Sequence, residues 1–408
     1  MVIPMDVRIE ELPPPILVES QEDFEDLLDV LEQEDEIAVD TEADSFYSFR
    51  DKVCLLQITA RGQDWLVDPL GDLDLADLGP ILADPSKTKV FHDAEYDVLI
   101  LGREFGFRFA GLFDTRVAAA VLGSAAPGLA SVLSDRFGVQ LDKSQQRSNW
   151  AKRPLTPKQI AYARLDTRFL LPLMHEQKEE LARQGRSMIV ETECRRLEAL
   201  EPPPLESHPN DFVKIKGARA LDPKGVSALK ELYAVRQKLA ERYDLPPFRI
   251  LGNKPMLDVA RKRPRNEAEL LRIEGITPKV LGRLGNRVQR ALDRAARKGP
   301  IARLPMSPKR AGEGQLDEIQ SELHDRLKTL RKEASERMGI ESAYLLNRHL
   351  LQKLAEDRPA SAESLRSVDG IEPWQLEAFG DDIVATVTRF ERDVAAGTVP
   401  SAPSRRRR

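Results

Sequence analysis

Two carboxylates, Asp40 and Glu42, stand two positions apart at the end of the apolar run Ile37-Ala38-Val39. On a strand, residues i and i+2 leave by the same face. The pair therefore repels itself at one spot unless a cation lies between. A second acidic group, Asp93, Glu95 and Asp97, follows the short run 89–92 at a strand-to-helix junction. Spacing leaves these three equal, and acidic residues in a first helical turn are also explained by the positive helix end. The third signal is the stretch 155–166. Thr156 can cap a helix, Pro157 suits its first position and Gln159 completes a capping box. That start puts Tyr162 and Asp166, four apart, on one face. The chemistry such groups can do is to hold hard divalent cations with carboxylate oxygens and to orient a water with a phenol. A solvated acidic strand end, or a packing tyrosine, accounts for each pair taken singly.

These side chains need a scaffold, and the apolar spacing supplies one. Ser20, followed three residues on by Asp23 and then by Phe24, Leu27, Leu28 and Leu31, reads as a capped helix. Segments 37–40, 53–59, 65–67 and 89–92 are short apolar runs bounded by turn residues and are predicted strands. From 113 to about 184 the pattern is mostly helical. Strands first and helices after predict an α/β domain over 16–205, behind a Pro-rich acidic lead, 1–15, expected to be disordered.

Behind that domain the chain repeats itself at an offset of 95. The stretch from Leu232 aligns with that from Leu327, Arg263-Pro264 with Arg358-Pro359, Glu274-Gly275-Ile276 with Asp369-Gly370-Ile371, and Gly285 with Gly380. Two small all-α domains are expected, at 220–298 and 317–396. A linker, 299–316, separates them, and a basic tail, 397–408, follows.

The chain has 408 residues and a formal net charge of −5. That overall value hides a segregation. Residues 1–60 carry 17 acidic and 3 basic side chains, net −14, whereas 211–300 carry 10 and 22, net +12. Such a chain offers a positive surface to a polyanion in one part and keeps carboxylates in another. Residues 319–395, with 15 acidic and 11 basic side chains, net −4, make the second repeat the poorer polyanion surface. No run of eighteen apolar residues predicts a membrane span, and the N-terminus does not read as a secretory signal, so a cytoplasmic protein is expected. Cys54 and Cys194 lack partners at ligand spacing, which argues against a disulfide scaffold and against zinc.

Taken together the motifs resemble the ribonuclease D family, whose exonuclease domain uses four acidic residues and a tyrosine. Its Asp-x-Glu strand motif is similar to Asp40-Thr41-Glu42. Its strand ending in His and leading to a helical Asp is similar to Phe91-His92-Asp93-Ala94-Glu95-Tyr96-Asp97, which places the carboxylate at Asp97. Its Tyr-x-x-x-Asp motif is similar to Tyr162-Ala163-Arg164-Leu165-Asp166. The intervening segments 112–123 and 128–155 also resemble the family, and 20–190 is covered in order. Both repeats resemble the helicase-and-RNase-D C-terminal (HRDC) module; the second departs where Ser342-Ala343-Tyr344-Leu345 replaces Pro247-Phe248-Arg249-Ile250. The stretch 40–58, with its Ser45-Phe46-Tyr47-Ser48-Phe49 run, also resembles the nuclease subunit associated with the eukaryotic RNA-processing exosome.

The resemblance implies a ribonuclease-H-like 3′→5′ exonuclease fold, with a mixed central sheet and flanking helices. It implies a catalytic set of Asp40, Glu42, Asp97, Tyr162 and Asp166. Two divalent cations, Mg²⁺ or Mn²⁺, would be held by the four carboxylates, since oxygen ligands without Cys or clustered His favour those ions. The expected reaction is release of nucleoside 5′-monophosphates from an RNA with a free 3′ end, such as a precursor tRNA, by a monomer needing no obligate protein partner. Lys143, Arg147 and Lys152 would meet phosphates, Phe46 or Tyr47 would stack on terminal bases, and His92 adjoins the site. Arg236, Lys238 and Arg242 on the first repeat's opening helix would extend the track. The competing readings are an exonuclease acting on single-stranded DNA and an inactive RNA-binding scaffold.

Overall fold

A computed structural model of the chain describes residues 12–203, 208–305 and 316–399. Its elements fall into two compact units. One unit contains the chain up to Glu42, Val53–Pro202 and the second helical repeat; the other contains Ala43–Lys52 and the first repeat.

The catalytic part of the first unit is built on β1 (Ile16–Val18), β2 (Glu36–Ala43), β3 (Val53–Ala60), β4 (Gln63–Val67), β5 (Thr88–Phe91) and β6 (Leu112–Asp114). The sheet order is β1-β4-β3-β2-β5-β6. β4 runs antiparallel to β3, while β1/β4, β2/β5 and β5/β6 are parallel. A mixed sheet follows directly. Every residue of β3 is buried, the polar Gln57 and Thr59 included, because both faces of this strand are covered. Helix α1 (Gln21–Gln33) starts at a Ser20/Asp23 capping box and buries Phe24, Leu27 and Leu31.

Helices α2 (Leu78–Ala83), α3 (Glu95–Phe105), α4 (Thr115–Val121), α5 (Leu129–Phe137), α6 (Pro157–Arg168), α7 (Leu170–Arg183) and α8 (Ser187–Glu198) complete the domain. α6 begins where its sequence requires, at the Thr156/Gln159 capping box with Pro157 in the first turn. Its register against the sheet is set by buried polar contacts. Arg164 Nη2 meets Asp64 Oδ2 at 2.8 Å, and Thr167 and Thr59 share a 2.7 Å hydroxyl–hydroxyl hydrogen bond. Two short strands depart from expectation. β1 follows directly on the Pro-rich lead, and β6 opens the stretch that reads as helical. Each has only three residues and exists through pairing with a distant partner, β1 with β4 and β6 with β5.

Both repeats are all-helical. The first comprises α9 (Pro223–Tyr243), α10 (Pro247–Ile250), α11 (Asn253–Lys262), α12 (Glu267–Leu271), α13 (Pro278–Leu284) and α14 (Arg287–Lys298). The second comprises α15 (Glu318–Met338), α16 (Ser342–Leu345), α17 (Arg348–Asp357), α18 (Ala362–Arg366) and α19 (Pro373–Ala395). The offset of 95 persists in the backbone: Arg263 and Arg358 end their helices at φ 50° and 48°. It also persists in side chains. Arg236 Nη1 donates to Leu251 O at 3.3 Å and Arg331 Nη1 to Leu346 O at 3.0 Å.

That equivalence corrects one expectation. Arg236 is 7% exposed and also donates to Asn253 Oδ1 at 2.6 Å. Its Nη1 holds the chain after α10 inside the repeat, and its burial argues against a phosphate contact. Parts of the predicted lead, linker and tail (1–11, 306–315 and 400–408) lie outside the described residues.

Arg236→Ala leaves the Leu251 carbonyl short of a donor. It should cost about 1–3 kcal/mol of stability, read by urea unfolding. The salt dependence of RNA binding by the folded fraction should stay unchanged, whereas a phosphate-contacting arginine would flatten it.

Candidate active site

The convergence begins with β2. Its two-residue period sends Asp40 and Glu42 to one face. Asp166, on α6, joins them, and one carboxylate oxygen from each of the three lies within 4.8 Å of the others. Among the described residues this is the one cluster that could hold a metal ion. Asp97 does not belong to that tight set. It lies in the first turn of α3, is 5% exposed, and accepts a short hydrogen bond from Thr41 Oγ1. Its carboxylate is nevertheless near enough to Asp40 to feel that charge.

Burial acts first on all four. It pushes the Asp40 carboxyl well above the usual range, with the Asp166 charge adding to it. Asp97 is raised by burial and then by Asp40. Glu42 is pushed up to about 10, by burial and by the charges of Asp40, Asp166 and Asp97. Asp166 rises to about 8, burial outweighing a hydrogen bond from Tyr162. Such a group either stays protonated or takes a cation among its oxygens, which lets the acids ionise together. The donor set fits a hard divalent ion, being all carboxylate. Asp166 Oδ2 in addition is buried with no hydrogen-bond partner, an acceptor left free inside the protein.

Tyr162 is held for this place by Trp150, which is 1% exposed, with ring centroids 6.0 Å apart. Burial and the neighbouring carboxylates push the phenol pKa upward. Tyr162 therefore stays protonated and can orient a water by hydrogen bonding without serving as a base.

Asp114 positions the helix that carries Asp97. Its buried carboxylate accepts from Asp93 N (3.0 Å) and Ala94 N (2.8 Å), in the turn before α3. It also accepts from Arg116 N (2.8 Å) and Val117 N (3.2 Å), capping α4. The turn it holds is unusual, since Asp93 adopts φ 73°, a conformation uncommon outside glycine. Sequence reading missed Asp114, Thr41, Trp150 and Arg164. Asp114 alone left a local signal, an Asp before the helical run Thr115-Arg116-Val117.

The proposed substrate contacts belong to both units. Lys143, Arg147 and Lys152 are exposed just before α6, and Lys238 and Arg242 are exposed on α9. Phe46, 40% exposed, sets its edge against Phe248 at 6.2 Å. One face of Tyr47 is covered by the Arg249 guanidinium at 4.4 Å. His92 requires correction. Its Nδ1 lies 2.9 Å from Thr115 Oγ1, its Nε2 is buried, and burial lowers its pKa to about 4. Thr115 Oγ1 in turn bonds Phe91 O at 2.9 Å. His92 is thus a neutral residue tying β5 to α4, with no charge to give a phosphate.

Comparison with known proteins gives a consistent picture. A family model described as 3′-5′ exonuclease matches residues 15–182, and the HRDC domain matches 227–292 and 320–387. A ribonuclease D of Acidiphilium cryptum is 30% identical over 372 residues, 91% of this chain and 92% of the relative. The crystal structure of Escherichia coli RNase D, an exoribonuclease involved in structured RNA processing, superposes with a TM-score of 0.65 at 25% identity. It covers 92% of this chain and 99% of that one. The catalytic core of RRP6 from Trypanosoma brucei gives 0.62 at 28% identity, covering 72% and 82%.

An acid whose folded pKa is raised is most stabilising to the fold when neutral; that advantage is full below the unfolded value near 4 and is lost as pH climbs through the folded one. The metal-free protein should therefore lose thermal stability between about pH 4 and pH 10. Asp166→Asn should raise its Tm at pH 9 by about 2–4 °C per kcal/mol of relieved repulsion, and Mg²⁺ should raise the parent's Tm while moving the variant's less. Differential scanning calorimetry at pH 5 and pH 9 would check both.

Proposed function

The chain belongs to the ribonuclease D family, and we propose that it shortens structured RNAs, precursor tRNAs among them, one nucleotide at a time by two-cation hydrolysis. It is a 3′→5′ exoribonuclease with an α/β exonuclease domain followed by two HRDC domains. The observation that carries the mechanistic reading is the cluster of Asp40, Glu42 and Asp166, with its unpartnered Oδ2.

On this reading the residues divide the work as follows. Asp40, Glu42 and Asp166 would hold one cation, and Asp97, beside Asp40, would help to hold a second. Bound there, the two ions would supply Lewis acidity on the attacking and on the leaving side of the last phosphodiester. Tyr162, kept neutral by its surroundings, accepts or donates a hydrogen bond to the incoming water and points it at phosphorus. Thr41 fixes the Asp97 carboxylate by hydrogen bonding to one oxygen. Lys143, Arg147 and Lys152 in the segment before α6, and Lys238 and Arg242 on α9, would neutralise phosphates without reading bases. Single-nucleotide release as the 5′-monophosphate follows from water attack at the terminal linkage with departure of the 3′ oxygen of the shortened chain.

No helix among the described residues is long and apolar enough to cross a membrane. We take the protein to work as a monomer in the cytoplasm.

A 5′-labelled RNA with a stem and a 3′ extension should yield a ladder that shortens from the 3′ end, needs Mg²⁺ or Mn²⁺, and pauses at the stem. Asp40→Ala should lose at least about 10³-fold in kcat, and Tyr162→Phe about 10- to 100-fold with KM nearly unchanged. Internal cuts, or faster attack on single-stranded DNA than on RNA, would overturn the assignment.

A further inference from the structure

The two repeats present the same short helix, but with different side chains on it. At the shared offset, Arg249 of α10 corresponds to Tyr344 of α16. Both residues reach a segment that flanks an acidic motif, and they do so from within their own compact unit.

In the second unit, the loop Ala43–Lys52 leaves Glu42 and is gathered onto the first repeat. Arg249 covers Tyr47 at 4.4 Å, Phe248 meets Phe46, and Asp244 Oδ1 accepts from Phe49 N at 2.9 Å. The Phe49 ring packs against the buried core of that repeat. In the first unit, Tyr344 Oη accepts from Arg116 Nη1 at 3.4 Å. Arg116 Nε in turn lies 3.5 Å from Asp93 Oδ2. Asp93 is the residue at φ 73° in the turn that leads into α3 and Asp97. The second repeat is also secured around this contact. Arg186 bridges Val121 O (2.7 Å) and Met338 O (2.8 Å), Trp374 Nε1 donates to Thr192 Oγ1 at 2.9 Å, and Arg195 pairs with Glu372 at 2.9 Å.

We propose that this one-turn helix is the bracing element of each repeat. Arg249 is a positioning residue for the loop that leaves Glu42, and Tyr344 is one, through Arg116 and Asp93, for the turn that delivers Asp97. The duplication then has a mechanical meaning. The basic copy governs how RNA meets Phe46 and Tyr47, and the acidic copy, a poor polyanion surface, governs the carboxylate of the second cation. The inference rests on the exoribonuclease reading above.

The test uses the full chain with Tyr344→Phe, Tyr344→Ala, Arg249→Ala and Arg249→Lys, beside Asp40→Ala. Mn²⁺ affinity is measured without RNA by electron paramagnetic resonance, kcat and KM on a 5′-labelled RNA, and Tm by calorimetry. Tyr344→Phe keeps the ring and removes only the hydroxyl. It should weaken Mn²⁺ binding about three- to tenfold, as loss of one hydrogen bond does, with KM and Tm little changed, and Tyr344→Ala should do at least as much. Arg249→Ala should raise KM about three- to tenfold, the scale of a cation–π contact, leaving Mn²⁺ affinity as it was, and Arg249→Lys should recover part of the loss. Parent-like Mn²⁺ affinity in Tyr344→Phe, or parent-like KM in Arg249→Ala, overturns the proposal. If Asp40→Ala still degrades RNA, the active-site reading itself fails; if it is dead while the other variants match the parent, only the bracing fails.

Discussion

Mutual repulsion among buried carboxylates is the constraint around which the catalytic domain is organised. Two unit charges 4 Å apart in surroundings of effective dielectric about 20 repel by roughly 4 kcal/mol, and three acids here bring oxygens within 4.8 Å of each other with a fourth close by. Local structure cannot hold such a group together. It is imposed by elements whose own stability is secured elsewhere: a buried strand for Asp40 and Glu42, a capped helix for Asp166, and a turn tied down by Asp114 for Asp97. The same repulsion makes the site a cation receptor, since a cation among the oxygens lets the acids ionise together.

The supporting contacts share a feature. Each pairs a polar group buried in one element with a backbone or side chain from an element far away in sequence. Arg164 meets Asp64 across 100 residues, Thr59 meets Thr167 across 108, and Thr41 meets Asp97 across 56. An unpaired buried polar group is costly, so such contacts admit few alternative registers of helix on sheet. Site geometry is thereby protected against small slips of α6 or α3, which apolar packing alone would tolerate.

The duplicated helical module shows how one fold carries different roles. Its interior is conserved between copies down to the Arg236 and Arg331 contacts with the backbone after the short helix. Its surface is not: one copy is strongly basic and the other mildly acidic. Core positions answer to packing, which both copies need, while surface positions answer to what each copy faces.

Much of this was legible in the chain itself. The two-residue period of 37–42 fixes that Asp40 and Glu42 share a face, and Thr156, Pro157 and Gln159 fix where α6 starts and so that Tyr162 and Asp166 share another. Both are local rules of backbone geometry and capping, and so they need no partner. The charge segregation and the repeat at an offset of 95 are likewise properties of the string. Tertiary structure decided the rest. Three-residue strands such as β1 and β6 have no periodicity to read and exist only through pairing. Asp114 acts on residues on both sides of it in space. The basic residue Arg236 turned out to be buried and the motif residue His92 half-buried, because exposure depends on which neighbours fold over a side chain, and a sequence states a residue's charge without stating what will cover it.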